Sequence, residues 1–425
     1  MAKAKSKKIT LEEALVPVEE QPYKVPENWC WIHLLDSFDN VTDSKKKLAT
    51  KEYLEDGEYP IIDQGQDFIG GYTDDADMIY DGELPIVIFG DHTRCIKYID
   101  FQFAQGADGV KVLKPKQFWN DKAFYYAMQS IEIPNMGYRR HYPLFKDFCI
   151  PLPPLAEQKR IVEQIESLFS KLDEAKEKAQ EVIDGYEARN AAVYNDAFSG
   201  RLTAQWRKDN YKENKWETKR FDEVADIKSN LVEPSNYLEF PHIAPDNIEK
   251  RTGILLDYHT IAEDGVKSGK HRFYAGQILY SKIRPYLSKV VMVDFDGLCS
   301  ADMYPIEAKE NTKYLLYYML SDMFLEQASS AGSRSVLPKI NQKELSAIKV
   351  RITSDEEQKE VVRILDYLLP MMQQVRDKAV QVVDNIDTIK KSILAKAFRG
   401  KLGTNIPEDE SAMELLKIIL NKGEC

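Results

Sequence analysis

One stretch of this chain occurs twice. Glu157-Gln158-Lys159 through Ala197-Phe198-Ser199-Gly200-Arg201-Leu202 returns as Glu357-Gln358-Lys359 through Ala397-Phe398-Arg399-Gly400-Lys401-Leu402, with the same length between its ends. An ungapped repeat at a distance of about two hundred residues divides the chain into two half-proteins in tandem. What the repeated part folds into therefore constrains everything else.

Both copies read as long helices. In the first, apolar or small residues fall at Ile161, Ile165, Leu168, Leu172, Ala175, Ala179, Val182, Tyr186 and Val193, and only Arg189 interrupts. In the second they fall at Val361, Leu365, Leu368, Met372, Val375, Ala379, Val382, Ile386, Ile389 and Ile393, without interruption. Steps of four and three mark the seam of a coiled coil. Each copy spans about forty residues, so each helix is roughly 60 Å long at the standard rise. Pro154 suits the first turn of the first helix. Ser354 with Glu357 three residues on reads as a capping box for the second. Gly200 and Gly400 stand where the helices stop. Pro370, opposite Ser170 in the first copy, predicts a kink or break in the second helix. An isolated helix of this kind is marginal, because its stripe must be buried. The two copies offer each other that partner, and an antiparallel pairing is natural with a domain between them, although the direction stays open at this level.

The parts outside the repeat, 22–152 and 215–352, read as mixed α/β. Strand-like runs are Pro85-Ile86-Val87-Ile88-Phe89, Ile278-Leu279-Tyr280 and Val290-Val291-Met292-Val293. Turns fall at Asp56-Gly57, Gly70-Gly71, Asp81-Gly82 and Asp296-Gly297, and short helices fit 122–130 and 312–326. The two domains share order more than identity: each opens on a tryptophan (Trp31, Trp216), has a glycine-led strand (Gly82, Gly276), and closes on a Gly-x-Arg loop before its helix (Gly137-Tyr138-Arg139, Gly332-Ser333-Arg334). The expected class is α+β: two α/β recognition domains joined and separated by two long, antiparallel coiled-coil helices with an internal pseudo-two-fold repeat. The segments are 1–21, an N-terminal segment; 22–152, the first domain; 153–202, the first helix; 203–214, a linker; 215–352, the second domain; 353–402, the second helix; and 403–425, a tail.

The 425 residues allow two real cores. No apolar run approaches the ~18 residues of a membrane span, and the basic Met1–Lys8 start lacks the apolar stretch of a signal peptide. The five cysteines (Cys30, Cys95, Cys149, Cys299, Cys425) are scattered and form no CxxC pair, so a reducing cytoplasm is the simplest home. The net charge of −11 speaks against a lone, tight DNA binder. It is an average, however: acidic residues crowd the first helix (Glu174, Glu177, Glu181, Asp184, Glu187) and the tail (Glu408, Asp409, Glu410, Glu414), and the field near a loop can differ in sign from the mean.

Signatures of an enzyme are missing. There is no Walker A, GxGxxG, GxSxG or HExxH string, and Pro151-Leu152-Pro153-Pro154-Leu155 lacks the asparagine of an amino-methyltransferase motif. The six histidines (His33, His92, His141, His242, His259, His271) show no ligand spacing. Asp91-His92 beside Cys95 reads better as a polar loop after a strand than as a metal cluster. Basic residues mixed with aromatics are the stronger signal. In the first domain these are Tyr138, Arg139, Arg140 and His141, to which the loop residues Asp91, His92 and Arg94 are added. In the second they are Arg272, Lys282, Arg284, Tyr286, Ser333, Arg334 and Ser335. Arginine reads guanine edges and anchors phosphates, while Tyr and Ser bond phosphates or pack on sugars. The plainer reading is a solvated loop whose arginine stems cover apolar neighbours. Matching positions in two domains favour DNA contact.

Taken in order, these strings resemble the specificity subunits of type I restriction-modification systems. The resemblance covers nearly the whole chain and rests on Pro22-Tyr23-Lys24-Val25-Pro26-Glu27-Asn28-Trp29, on Ile150-Pro151-Leu152-Pro153-Pro154-Leu155-Ala156-Glu157-Gln158-Lys159-Arg160-Ile161-Val162, on Ala197-Phe198-Ser199-Gly200-Arg201-Leu202, and on Ile283-Arg284-Pro285-Tyr286-Leu287. Departures are Pro370, and Thr353-Ser354-Asp355 where the first copy has Leu152-Pro153-Pro154. The resemblance implies two target recognition domains that each read half of a split DNA sequence. It implies helices that fix the gap and dock two methyltransferase subunits, restriction subunits that translocate and cut, and a role in phage defence. It implies no chemistry and no cofactor in this chain; S-adenosylmethionine, ATP and Mg belong to the partner subunits. The segment 8–20 and the tail from Ser411 are read as completing the pseudo-symmetry across the joined ends. The alternative, which the acidic balance favours, is a coiled-coil scaffold whose α/β domains bind protein.

Overall fold

The repeat folds as helix in both copies. A computed structural model describes residues 10–107, 109–331 and 338–422. In it the first copy is helical over Leu155–Asp184 and Tyr186–Phe198, and the second over Asp355–Ala397. The break expected at Pro370 is absent. The helix continues through the proline, which sits on the exposed side, where losing one backbone donor is offset by the rest of a 43-residue element. The interruption lies instead at Gly185, next to proline the poorest helix former. Arg189, the polar residue in the first seam, turns its guanidinium back onto the Val182 carbonyl just before the interruption. The Arg189 guanidinium lies over residue 185, where a Cβ would be 2.5 Å from one of its nitrogens and would displace that side chain.

By their internal contacts the residues form two units, 1–178 with 381–425, and 179–380. Each holds one head and parts of both long helices. The first head contains β1 (Cys30–His33), β2 (Phe38–Asn40), β3 (Tyr59–Ile62), β4 (Gly71–Thr73), β5 (Ile86–Gly90), β6 (Ile96–Ile99), β7 (Ala104–Gln105), β8 (Val110–Pro115) and β9 (Cys149–Leu152). The second contains β10 (Glu217–Arg220), β11 (Ala225–Ile227), β12 (Leu231–Val232), β13 (Pro241–Ile243), β14 (His259–Thr260), β15 (Lys270–Phe273), β16 (Ile278–Ser281), β17 (Val290–Met292), β18 (Gly297–Cys299), β19 (Met303–Ala308) and β20 (Lys349–Ile352).

The two heads share one topology. The sheet β2-β8-β5-β6 corresponds to β11-β19-β16-β17, and the closing pair β1-β9 to β10-β20. In β4-β3-β7 the middle strand pairs antiparallel on one side and parallel on the other, and β14-β13-β18 repeats this. The second head adds β12 and β15 beyond β18. Both central strands, β5 and β16, are buried along their whole length, which is why they read as continuous apolar runs. The helix expected over 122–130 is present as Asp121–Ser130. That expected over 312–326 is two helices, Thr312–Leu320 and Asp322–Ala331, parted at the buried Ser321.

Each head's core takes in both long helices. In the first unit Ile161 and Ile165 pack with Leu394, Ala397 and Phe398 among Trp29, Phe38, Phe89, Phe124 and Phe145. In the second, Val361 and Leu365 pack with Tyr194, Ala197 and Phe198 among Tyr280, Tyr314, Tyr318 and Phe324. The start of one helix thus meets the end of the other in each unit, an antiparallel pairing. Cross-links continue it: Asp173 to Lys390 at 2.5 Å in the first unit, and the Tyr186 hydroxyl donating to Gln373 at 2.5 Å in the second. Along the seam Leu168, Leu172, Val182, Leu368, Met372 and Ile393 are half-buried and Ile386 is buried. Val382 and Ile389 are each 42% exposed. A straight helix drifts about 20° per heptad from a 3.5-residue repeat, so a strict seam turns some positions outward.

The Glu-Gln of each repeat holds these ends together. Glu157 is buried and accepts from the Trp29 indole at 2.6 Å, from Asn405 at 2.7 Å and from the Thr404 hydroxyl at 3.1 Å. Glu357 is buried and accepts from the Thr203 hydroxyl at 2.5 Å, Thr353 at 2.7 Å and the Trp216 indole at 2.9 Å, and it pairs with Arg207. Each carboxylate ties the start of one helix to the loop that follows the end of the other. The expected capping box at Ser354 forms only in part. Its hydroxyl accepts from the Glu357 amide at 3.4 Å, but the Glu357 carboxylate turns inward instead of back. The tryptophan equivalent to Trp216 is Trp29, not Trp31, since Trp29 donates to Glu157 as Trp216 does to the equivalent Glu357. Gln158 and Gln358 repeat the device beside them, each accepting from the backbone amide of a helix N-cap asparagine, Asn120 and Asn311. Gly200 and Gly400 end the helices at φ +80° and +66°, a left-handed turn that favours glycine. At the second, a Cβ would strike Pro26 at 2.4 Å.

Candidate nucleic-acid interface

In both heads the turn after the central strand meets the loop that precedes the last strand. In the first head the turn is 91–95 and the loop 131–142. His141 joins them. Its Nδ1 faces the Asp91 carbonyl at 2.8 Å, and its Nε2 accepts from the Met136 amide at 3.2 Å. A carbonyl only accepts, so Nδ1 carries the proton. The Asp91 carboxylate accepts from the Tyr142 amide at 2.7 Å. Asp91 is 2% and His141 0% exposed. Both residues expected to touch DNA are thus buried and hydrogen-bonded internally, where they join the two loops.

What they present is outward. The His92 ring stacks on Tyr138 at 4.8 Å and 14°, and Tyr138 is 88% exposed. Arg139 and Arg140 follow it, both exposed and, among the described residues, without an ion pair. Arg94 has a left-handed backbone (φ 64°) and donates to the Ile133 carbonyl at 3.0 Å. Beside it an open groove of about 1000 Å³ is lined by Arg94, Lys97, Tyr125, Gln129, Lys390 and Lys391. The two lysines from the far end of the chain were not among the sequence candidates. Only the fold brings the end of the second helix to this head, and no local signal marks them.

In the second head the turn 282–289 is laced to 338–340. Ile283 bridges Lys339, the Arg284 amide donates to the Pro338 carbonyl at 2.8 Å, and the Ile340 amide to Lys282 at 2.9 Å. Arg284 is left-handed (φ 48°), as Arg94 is in the corresponding turn. Its side chain is exposed and unpaired among the described residues, and Tyr286 beside it is half-exposed. Lys282 is tied down, donating to the Ala301 carbonyl at 2.6 Å with Asp302 at 3.7 Å. Ser333, Arg334 and Ser335 lie outside the described residues. Arg272 stands apart from this turn. It is on β15, outside the turn. Burial, and secondarily the Lys282 charge, hold His271 below its ordinary pKa.

Asp91, His92 and Cys95 form no metal site, and no cluster of His, Cys, Asp and Glu able to hold a metal exists among the described residues. No helix among them is long and apolar enough to cross a membrane.

Comparison with known proteins gives a consistent answer. The profile of the type I restriction modification DNA specificity domain matches twice, at residues 26–183 and 213–378. The EcoDI type I restriction enzyme specificity subunit of Escherichia coli is 41% identical over 278 residues, covering 60% of this chain and 63% of that one. The chain thus spans somewhat under two thirds of that relative. The EcoR124I/EcoR124II specificity subunit, also of Escherichia coli, is 23% identical and covers 79% of this chain and 85% of that one. Among solved structures, the HsdS subunit from Thermoanaerobacter tengcongensis superposes with a TM-score of 0.60 at 15% identity, covering 90% of this chain and all of that one. A chain from a structural study of type I restriction-modification assembly and conformational transition gives 0.58 at 18% identity, covering 89% of this chain and all of that one. At such identities the superpositions establish the fold.

Proposed function

The chain belongs to the type I restriction-modification DNA specificity family, and from that premise we propose that it is the DNA-recognition subunit of such a complex. Each head reads one half of a split target in double-stranded DNA. The paired helices set the gap between the halves and dock two methyltransferase subunits, which methylate adenine using S-adenosylmethionine. Restriction subunits that translocate and cut use ATP and Mg. The chain itself is a reader without catalysis, working beside the genome in the cytoplasm. The observation that carries this reading is the doubled site: two heads of one topology, with Arg139 and Arg140 in the first and Arg284 in the second exposed and without carboxylate partners among the described residues, on a turn after the central strand or on the loop laced to it. Arg139, Arg140 and Arg284 have N–H donors free for DNA. Asp91 and His141 serve by holding the first pair of loops.

Mapping methylated adenines in cells with the gene and its methyltransferase partner, and in cells lacking only this gene, tests the reading. A bipartite motif that disappears with the gene is expected. Methylation independent of the gene, together with no DNA binding by the purified complex, would leave the protein-binding scaffold as the better account.

Replacing both Arg139 and Arg140 by alanine is expected to weaken DNA binding about 10-fold or more at moderate salt, and to flatten the salt dependence by up to about two phosphates' worth of slope. The motif read by the other head stays unchanged. A titration from 50 to 200 mM salt with equal slopes for variant and parent rules these arginines out as contacts.

A further inference from the structure

Arg272 is held in a way no other arginine among the described residues is. Its guanidinium lies 4.8 Å from the ring centre of Tyr274, 5.4 Å from Tyr237 and 5.9 Å from Phe240. Tyr237 and Phe240 brace each other edge-to-face at 5.1 Å. Arg272 has no carboxylate partner among the described residues, and its Nε is buried without a hydrogen bond. The residue as a whole is partly exposed, so the terminal nitrogens carry the accessible donors.

These rings do one thing and leave another undone. Their faces attract the cation and hold it among them, but they do not use its N–H donors, of which arginine has five. The other candidates in this head differ. Lys282 gives its charge to Ala301 and Asp302, and Arg284 is exposed and, among the described residues, without ring contacts. A guanidinium held among rings with its donor fork unused suits a directional, two-point acceptor. In duplex DNA that acceptor is the N7/O6 edge of guanine, which a guanidinium meets end-on with two parallel bonds. Ordering the side chain beforehand also removes rotamer entropy that binding would otherwise lose.

We propose that Arg272 is the residue through which the second head requires a guanine at one position of its half-site. This deepens the DNA-reading proposal above and rests on it. The rings of Tyr237, Phe240 and Tyr274 are then positioning groups, because they act through the arginine.

The test is methylation mapping in cells carrying the unaltered gene, Arg272→Ala or Arg272→Lys, each with the partner methyltransferase. Arg272→Lys keeps the charge and the ring contacts but loses the planar fork. The expected result is that one guanine of one half-site becomes dispensable in both variants. Discrimination there falls about 10- to 100-fold, while the other half-site and the gap are unchanged. An unaltered motif in both variants overturns the proposal. So does a uniform fall at the original sites with no new sequences methylated, which is the signature of a phosphate contact, and so does complete loss in both variants, which makes Arg272 a support of the fold. If the unaltered gene yields no dependent motif, the DNA-reading proposal itself fails, and the control reveals this before the variants are compared.

Discussion

Replacing Glu357 with alanine is expected to destabilise the second unit by about 3–5 kcal/mol, the range for removing one partner of a buried ion pair. The carboxylate is 1% exposed and serves Thr203, Thr353, Trp216 and Arg207 at once. Truncation leaves the Trp216 indole without its acceptor and takes away the carboxylate that neutralises Arg207, whose guanidinium keeps only the Gly200 carbonyl and the Thr203 hydroxyl, and a stranded donor costs its desolvation. Glu357→Gln keeps the shape and one acceptor oxygen, so its cost is smaller. The same site is expected to lose stability in acid. Burial pushes the Glu357 carboxyl up, but the four donors together outweigh it and hold it below the ordinary value of 4.5. A group with a depressed folded pKa contributes stability that is present above the unfolded value and is lost as pH falls through the folded one. Hydrogen exchange on the full-length chain checks both points. Protection around 203–220 and 345–365 should drop in Glu357→Ala, whereas Glu157→Ala should act on the first unit around 28–32 and 402–412. Unchanged protection in the second unit after Glu357→Ala would refute the hub.

That hub shows where sequence reasoning stopped. The repeat, its helical period and its glycine ends were legible because they depend on local spacing, and the two-headed α+β arrangement followed from them. Glu157-Gln158-Lys159 carries the composition of a solvated helix surface. Only the long-range return of Thr404 and Asn405 onto Glu157, and of Thr203 and Arg207 onto Glu357, makes the glutamate of each copy an interior residue, while Lys159 stays exposed. The helix joint was misplaced for a related reason. Pro370 is the stronger breaker by propensity, yet the 43-residue helix carries it on an exposed side, while the first helix is interrupted at Gly185, where Arg189 folds back onto the Val182 carbonyl. In the heads, the basic and aromatic loops were visible as composition, but the division of labour within them was not. Asp91 and His141 are polar residues in loops, and nothing local reveals that each is buried. The ring cage of Arg272 draws Tyr237 and Phe240 from more than thirty residues upstream, across strands whose pairing no local pattern gives. Lys390 and Lys391 reach the first head's groove by the same route.

Shortening both helices by one heptad is expected to abolish methylation at the original target and to create a new one. Residues 177–183 and 378–384 are the segments to remove. They are bracketed by the contacts Asp173–Lys390 and Tyr186–Gln373, so both helices lose the same stretch of the antiparallel register. Whole heptads preserve the facing of the seam to within about 20°, and the four ends held by Glu157, Glu357, Phe198 and Phe398 are untouched. Seven residues shorten a helix by about 10 Å, close to three base pairs at about 3.4 Å each. If the helices set the gap, both half-site sequences should persist while the number of unread base pairs between them falls by up to about three. Removing the heptad from one helix alone throws the register out and should lower stability without giving a new motif. Methylation mapping of the double deletion reads the result directly. An unchanged gap in an active, folded variant would show that the separation is fixed elsewhere, and would move the search to the surfaces where partner subunits bind.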